Sequence, residues 1–198
     1  INDKTLYEEF GDESYIRHRI SLKDVPIYDD IDKMLEMASE QKVLVIVNTV
    51  DRAIELYNQL KDEKVHLLHS RFIQRDRALL ESEIKRFADD DDESGIWITT
   101  QLVEASIDID FDVLFTELST IDSLLQRFGR CYRKRELDHE KPNVYIYTED
   151  VSGRKYIYDE DILGLTKEYL HSYDNKQLNE KDKIELVKKI YSKNPRIS

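Results

Sequence analysis

Residues 42–48 read Lys42-Val-Leu-Val-Ile-Val-Asn48, and the following Thr49-Val-Asp-Arg-Ala-Ile-Glu-Leu-Tyr-Asn-Gln-Leu-Lys61 changes both polarity and period. The first stretch is apolar at consecutive positions, the pattern of a strand covered on both faces. In the second, Thr49 can accept from the backbone at a helix N-terminus, and Ala53, Ile54, Tyr57 and Leu60 fall on one helical face. A buried strand running into an amphipathic helix is half of a βαβ unit, and the alternation continues along the chain. Val65 to His69 reads as a strand and Gln74 to Ala88 as a helix with Leu79, Leu80, Ile84 and Phe87 inward. Strands over Gly95–Thr100 and Asp112–Leu118 follow, joined by a compact Gln101 to Phe111 connection. A helix over Ile121–Cys131 and a strand over Asn143–Thr148 complete five strands of a doubly wound, mostly parallel α/β sheet flanked by helices.

Residues 1–41 lead into this lobe: Ile16, His18, Ile20 and Leu22 alternate as an edge strand should, and Tyr28 to Glu40 reads as a helix. Residues 42–150 form the lobe itself, and 151–198 a C-terminal helical extension. Its two amphipathic helices, Asp159–Tyr173 and Asn179–Lys193, are joined by polar Asp174-Asn175-Lys176-Gln177, and pack either on the core or on a neighbour outside this chain.

With 198 residues, 40% hydrophobic and 36% charged, the chain can bury a core, and three prolines with five glycines exclude collagen-like or low-complexity classes. No apolar run approaches the ~20 residues of a membrane-spanning helix. The single cysteine, Cys131, excludes an internal disulfide and suits a reducing cytoplasm; it reads as a buried filler, and Trp97 as a core aromatic. A start at Ile1-Asn2-Asp3, without Met, reads as a piece of a longer polypeptide. A net charge of −12 argues against a wholesale electrostatic nucleic-acid binder, but not against a local site. The charge is uneven: Asp89 to Glu93 is a five-acid run with the pattern of a solvated loop, whereas Arg127, Arg130, Arg133, Lys134 and Arg135 crowd five cations into nine residues.

Doubly wound sheets bind ligands at the carboxyl ends of their strands. Four such ends are polar here: Asn48-Thr49, His69-Ser70-Arg71-Phe72, Thr99-Thr100-Gln101 and Glu117. Arginines at 127, 130 and 133 recur every three residues and, on a helix, drift slowly around one face. Such a cluster repels itself unless an anion lies opposite; phosphate fits the bidentate guanidinium fork, while pairing with Asp122 or Glu136 is the plainer reading. In Thr99-Thr-Gln-Leu-Val-Glu-Ala-Ser-Ile-Asp-Ile-Asp110, hydroxyls after a strand can donate to a phosphate backbone and Asp108 can accept from a ribose; ordinary capping accounts for each singly.

In order and spacing, Thr100-x-x-x-Glu104-x-Ser106-Ile-Asp108-Ile-Asp110 followed by Gln126-Arg-x-Gly-Arg-x-x-Arg133 resembles motifs V and VI of superfamily 2 helicases. Leu68-His-Ser-Arg-Phe72, with Asp76-Arg77 downstream, narrows the resemblance to the CRISPR-associated helicase-nucleases of type I interference systems, and Ser106 in place of glycine suits that branch. The likeness spans about Val43 to Tyr147 and implies the second of two RecA-like lobes of an ATP-dependent motor on single-stranded DNA. It further implies that Arg130 and Arg133 reach the γ-phosphate as arginine fingers, organised by Gln126 and Arg127. Asp108, Ser106 and Glu104 would lie at the nucleotide, and Thr100, His69, Ser70 and Arg71 on the DNA track. Partners implied are the first lobe, a nuclease domain and the CRISPR surveillance complex. ATP and Mg²⁺ would be held mainly by the first lobe, because no G-x-x-x-x-G-K-[ST] loop, acidic Mg²⁺ motif or His-Asp dipeptide occurs in this sequence. Another superfamily 2 motor, or a silent RecA-like docking module, is the alternative; His69-Ser-Arg-Phe72 and the intact arginines speak against these.

Overall fold

The computed structural model describes residues 16–154 and 160–193. Its strands are β1 His18–Lys23, β2 Lys42–Ile46, β3 Val65–Leu68, β4 Gly95–Thr99, β5 Val113–Glu117, β6 Val144–Tyr147 and β7 Gln177–Leu178. Its helices are α1 Ile31–Ala38, α2 Val50–Leu60, α3 Gln74–Asp89, α4 Leu102–Ser106, α5 Ile121–Phe128, α6 Glu160–His171 and α7 Glu180–Ser192, with a 3-10 turn at Ile27–Asp30.

The seven strands lie in the order β3-β4-β2-β5-β6-β1-β7. All pair in parallel except β7, which runs antiparallel along β1. Every residue of β2 is buried, as its unbroken apolar run requires. Alternate residues of β2 serve two separate apolar layers. Val43, Val45 and Val47 pack with Met34 and Ala38 of α1 and with Ala53, Leu56 and Leu60 of α2. On the other face, Leu44 and Ile46 join Ile84 and Phe87 of α3, Leu124 and Phe128 of α5, and residues of α6 and α7. Helices on both faces of a parallel sheet make this the doubly wound architecture read from the alternation of strand and helix. Thr49 caps α2 by accepting from the Arg52 N–H. Trp97 and Cys131 are buried in the second layer.

Four expectations need correction. The alternating stretch near His18 is not an edge: β7 covers its outer side, pairing Leu178 with His18 and Gln177 with Arg19. A two-residue strand carries no periodicity, so β7 was hidden in the polar linker. On α2 the buried position is Leu56, while Tyr57 is exposed. Leu79 is 57% exposed, because α3 is buried mainly through its last turns, at Ile84, Phe87 and Ala88, with Leu80 partly buried against the same layer. Finally, α5 stops at Phe128 rather than Cys131, since Gly129 ends the helix and Cys131 then bridges in parallel to Phe111.

The extension packs on the core rather than waiting for a neighbour: Ile162, Leu163, Leu170, Leu186 and Ile190 belong to the same buried layer as β2. A capping box between Asn179 and Asp182 starts α7. The acidic run lies at the surface, with Asp89 to Asp92 exposed. Among the described residues, no helix is long and apolar enough to cross a membrane.

Candidate functional site

The sheet's carboxyl edge collects the residues that follow β2, β4 and β5, and the buried guanidinium of Arg127 joins them. Its side chain is wholly enclosed. From α5, Nε donates to Glu104 Oε1 at 2.8 Å, Nη1 to Thr116 Oγ1 at 2.8 Å and Glu117 O at 3.2 Å, and Nη2 to Asn48 Oδ1 at 2.9 Å. Asn48 in turn accepts at its backbone oxygen from Gln101 Nε2 at 2.7 Å, and its Nδ2 donates to Leu118 O at 2.9 Å. Glu117 receives the Asn48 N–H at 2.7 Å, the Ser152 N–H at 2.9 Å and the Ser152 hydroxyl at 2.6 Å. A planar fork with all its donors in fixed directions is what lets one side chain tie two strand ends and α4 together.

The other two arginines differ. Arg130 donates from Nη2 to Glu104 O at 2.7 Å, but its Nε is buried without a hydrogen-bond partner. Burial, and then the charge of Arg133, push the Arg130 guanidinium below its ordinary pKa, with Asp108 pulling the other way. Arg133 pairs through Nε with Asp108 at 3.2 Å, and that carboxylate is 66% exposed. So two half-covered guanidiniums stand side by side with one exposed carboxylate between them. The partners are Glu104 and Asp108, not Asp122 or Glu136 as local pairing had suggested.

The helix expected over Ile121–Cys131, which would have carried Arg127 and Arg130, ends at Phe128 and carries only Arg127. Beyond Phe128 the chain turns, Tyr132 takes a left-handed φ of 49°, and Arg130 and Arg133 leave on a turn held by Phe111 and Asp110. Gln126 is exposed on α5. Glu104 is engaged by Arg127 and by the Ser123 hydroxyl at 3.2 Å. Ser106 ends α4, and its side chain lies outside the described residues.

The residues expected on a DNA track come from adjacent strands, Leu68 of β3 lying opposite Thr99 of β4. They divide by exposure. His69 is buried, stacked on Phe72 with centroids 4.2 Å apart, and its Nδ1 accepts from the Arg71 N–H at 3.2 Å. Burial holds its pKa below the usual histidine value. Thr100 is only 3% exposed. Ser70 and Arg71 face solvent, where Arg71 pairs with Asp51. Thr116 and Ser123 were not singled out by sequence reasoning, and Asn48 was named only as a polar strand end, without a partner. The available signal was a polar residue at or just past an apolar strand, which marks the edge but names no partner.

A doubly wound parallel sheet with this arginine turn beside the carboxyl edge defines a RecA-like lobe of the superfamily 2 helicase class. A family model described as CRISPR-associated nuclease/helicase Cas3, C-terminal, matches residues 39–136, and the chain belongs to that family. The Cas3 nuclease/helicase of Methanothermobacter thermautotrophicus is 37% identical over 186 residues, a match covering 88% of this chain and 22% of that protein. Among solved structures, T. fusca Cas3-ADP superposes with a TM-score of 0.76 at 22% identity, over 91% of this chain and 24% of that one. A chain from a pre-nicking CRISPR RNA-guided surveillance complex matches with a TM-score of 0.76 at 23% identity, over 93% of this chain and 26% of that one. The chain thus spans about a quarter or less of the proteins it resembles.

Proposed function

We propose that this chain is the C-terminal RecA-like lobe of an ATP-dependent DNA helicase of CRISPR interference, supplying arginine fingers to a nucleotide bound on the opposite lobe and part of a single-stranded DNA track. The observation that carries the reading is the inequality of the three arginines. Arg127 is consumed by internal partners, whereas Arg130 has an unpartnered buried Nε and Arg133 is held only by an exposed carboxylate. Two adjacent cations so weakly compensated favour an incoming anion, and a γ-phosphate has the charge and geometry for it. When bound, Mg²⁺-ATP supplies the phosphoryl group and part of the charge neutralisation. This chain's residues orient and compensate: Arg130 and Arg133 face the terminal phosphate, with Asp108 released from Arg133 and free to accept from the sugar. Arg127, fixed by Glu104 and Asn48, holds the turn at a constant height over the sheet. Recruitment by a surveillance complex and joint action with a nuclease domain belong to the same reading, and the likeness to a chain of such a complex supports it.

The direct test is reconstitution. The 198 residues alone are expected to show no ATP turnover, because no phosphate-loop motif lies in this sequence, and the lobe that carries one should restore hydrolysis. DNA-stimulated hydrolysis by the purified chain alone would remove the half-site reading.

For the track, Arg71 is the exposed cation and Thr100 a nearly buried hydroxyl. In the full-length protein Arg71→Ala should lower the slope of log affinity against log salt by about 0.7 for single-stranded DNA, whereas Thr100→Ala should leave the slope unchanged. Equal slopes for wild type and Arg71→Ala, from fluorescence anisotropy across a salt series, would take Arg71 off the track.

A further inference from the structure

The turn that carries Arg130 and Arg133 is held from behind by residues far away in sequence. His18, on β1, is completely buried, and its Nε2 lies 2.8 Å from Phe128 O and 2.8 Å from Cys131 O. Two carbonyl acceptors at one nitrogen require the Nε2–H tautomer. The other nitrogen, Nδ1, then accepts from Lys183 Nζ of α7 at 3.0 Å. Lys183 donates to Glu180 Oε1 at 2.6 Å, and the same carboxylate oxygen receives Arg17 Nη2 at 2.6 Å. Arg17 Nη1 returns to the turn, donating to Arg133 O at 3.1 Å. Burial first, and the Lys183 charge second, push the His18 pKa down to about 3, which keeps the ring neutral and Nδ1 open as an acceptor.

These contacts fall on particular atoms. Phe128 O belongs to the last turn of α5, where carbonyls lack intrahelical donors. Cys131 O lies between the two finger positions, and Arg133 O belongs to the second of them. The opposite side of the turn is pinned by Phe111, which receives the Tyr132 N–H at 3.1 Å and gives its own N–H to Arg130 O at 3.0 Å. Arg130 and Arg133 therefore leave a backbone gripped between the 110–111 segment in front and the His18–Arg17–Lys183 group behind.

We infer that His18, with Arg17 and Lys183, is a positioning group for the arginine fingers, fixing the backbone of residues 128–133 so that the Arg130 and Arg133 guanidiniums stand where the transferring phosphate needs them. This rests on the finger reading above. Effects of small displacements on reactions that depend on alignment reach about a hundredfold, so loss of the grip is felt in turnover before it is felt in binding.

The test uses the full-length protein with ATP and single-stranded DNA. His18→Ala should lower kcat about tenfold or more with the dissociation constants for ATP and DNA changed by less than about twofold. His18→Gln, whose Nε2 can donate to the same carbonyls, should recover most of the rate. Lys183→Met, which keeps the packed stem but withdraws the donor to Nδ1, should give an intermediate loss and serves if His18→Ala fails to fold. Adding His18→Ala to a variant that carries both Arg130→Ala and Arg133→Ala should slow it no further, since His18 acts through these two side chains. An unchanged kcat in both His18→Ala and Lys183→Met, or losses that add to that of the variant lacking both arginines and are not restored by glutamine, would overturn the proposal. If Arg130→Ala and Arg133→Ala are themselves fully active, the finger reading fails and the proposal falls with it. If they are impaired while the His18 and Lys183 variants are not, only the positioning role fails.

Discussion

Replacing Arg130 or Arg133 by alanine in the full-length protein is expected to reduce ATP turnover by about 10³ to 10⁵, or roughly 4 to 7 kcal/mol of transition-state stabilisation, with ATP affinity nearly intact. The split between rate and binding follows from where the charge develops. An arginine finger meets the transferring phosphoryl group mainly in the transition state, so its removal lowers kcat rather than ground-state binding. The structure adds an asymmetry between the two. Arg130 is anchored by the Glu104 carbonyl and half-enclosed, whereas Arg133 must first leave Asp108. An exposed pair of this kind contributes little stability and yields readily to a phosphate. Single-turnover hydrolysis and nucleotide binding, measured in parallel, check the expectation. A change under tenfold at both positions would refute the role.

The second large effect is on stability. Arg127→Met keeps the apolar stem but deletes the fork, stranding the Glu104 carboxylate, the Asn48 carbonyl and the Thr116 hydroxyl in a buried site. Breaking one member out of a buried charged network costs about 3 to 5 kcal/mol. For a chain of this size that corresponds to a fall in melting temperature of about 6 to 20 °C. Arg127→Lys should recover little of it, because one ammonium cannot reach three acceptors set in a plane around a fork. By contrast Arg75→Ala, on an exposed position of α3, should stay within about 0.5 kcal/mol. Thermal unfolding of the three variants decides the matter: if Arg127→Met melts with wild type, the buried network is not what holds the strand ends together.

One short motif thus holds both a fully paired, buried arginine and two incompletely paired ones. Arg127 and Arg130 are three residues apart, yet the helix ends between them. The helical part faces inward, and the part beyond Gly129 is free to turn its side chains toward the carboxyl edge. Had α5 continued to Cys131, Arg130 would have kept to the same helical stripe as Arg127. The early stop, the bridge from Cys131 to Phe111 and the left-handed Tyr132 are therefore part of the site.

The sequence alone determined the layered architecture, because β2, β4 and β5 each carry a run of consecutive apolar residues and the helices between them show a helical period, two signals written locally in the chain. It also determined which short segments matter, since hydroxyls, carboxylates and arginines stand just beyond those strands. What it could not hold was the partnership of distant groups. Glu104 and Arg127 lie 23 residues apart, Asn48 and Arg127 79 apart, and His18 and Lys183 165 apart. Neither period nor spacing encodes such pairs; they arise only when the parallel crossovers stack the strand ends on one edge. For the same reason, β7 and the covered flank of β1 were invisible, as two residues pair only because α6 and α7 bring them there. Which of three equivalent-looking arginines is spent on the fold was decided by tertiary structure, through the burial that made Arg127 a cross-link and left Arg130 and Arg133 incompletely paired.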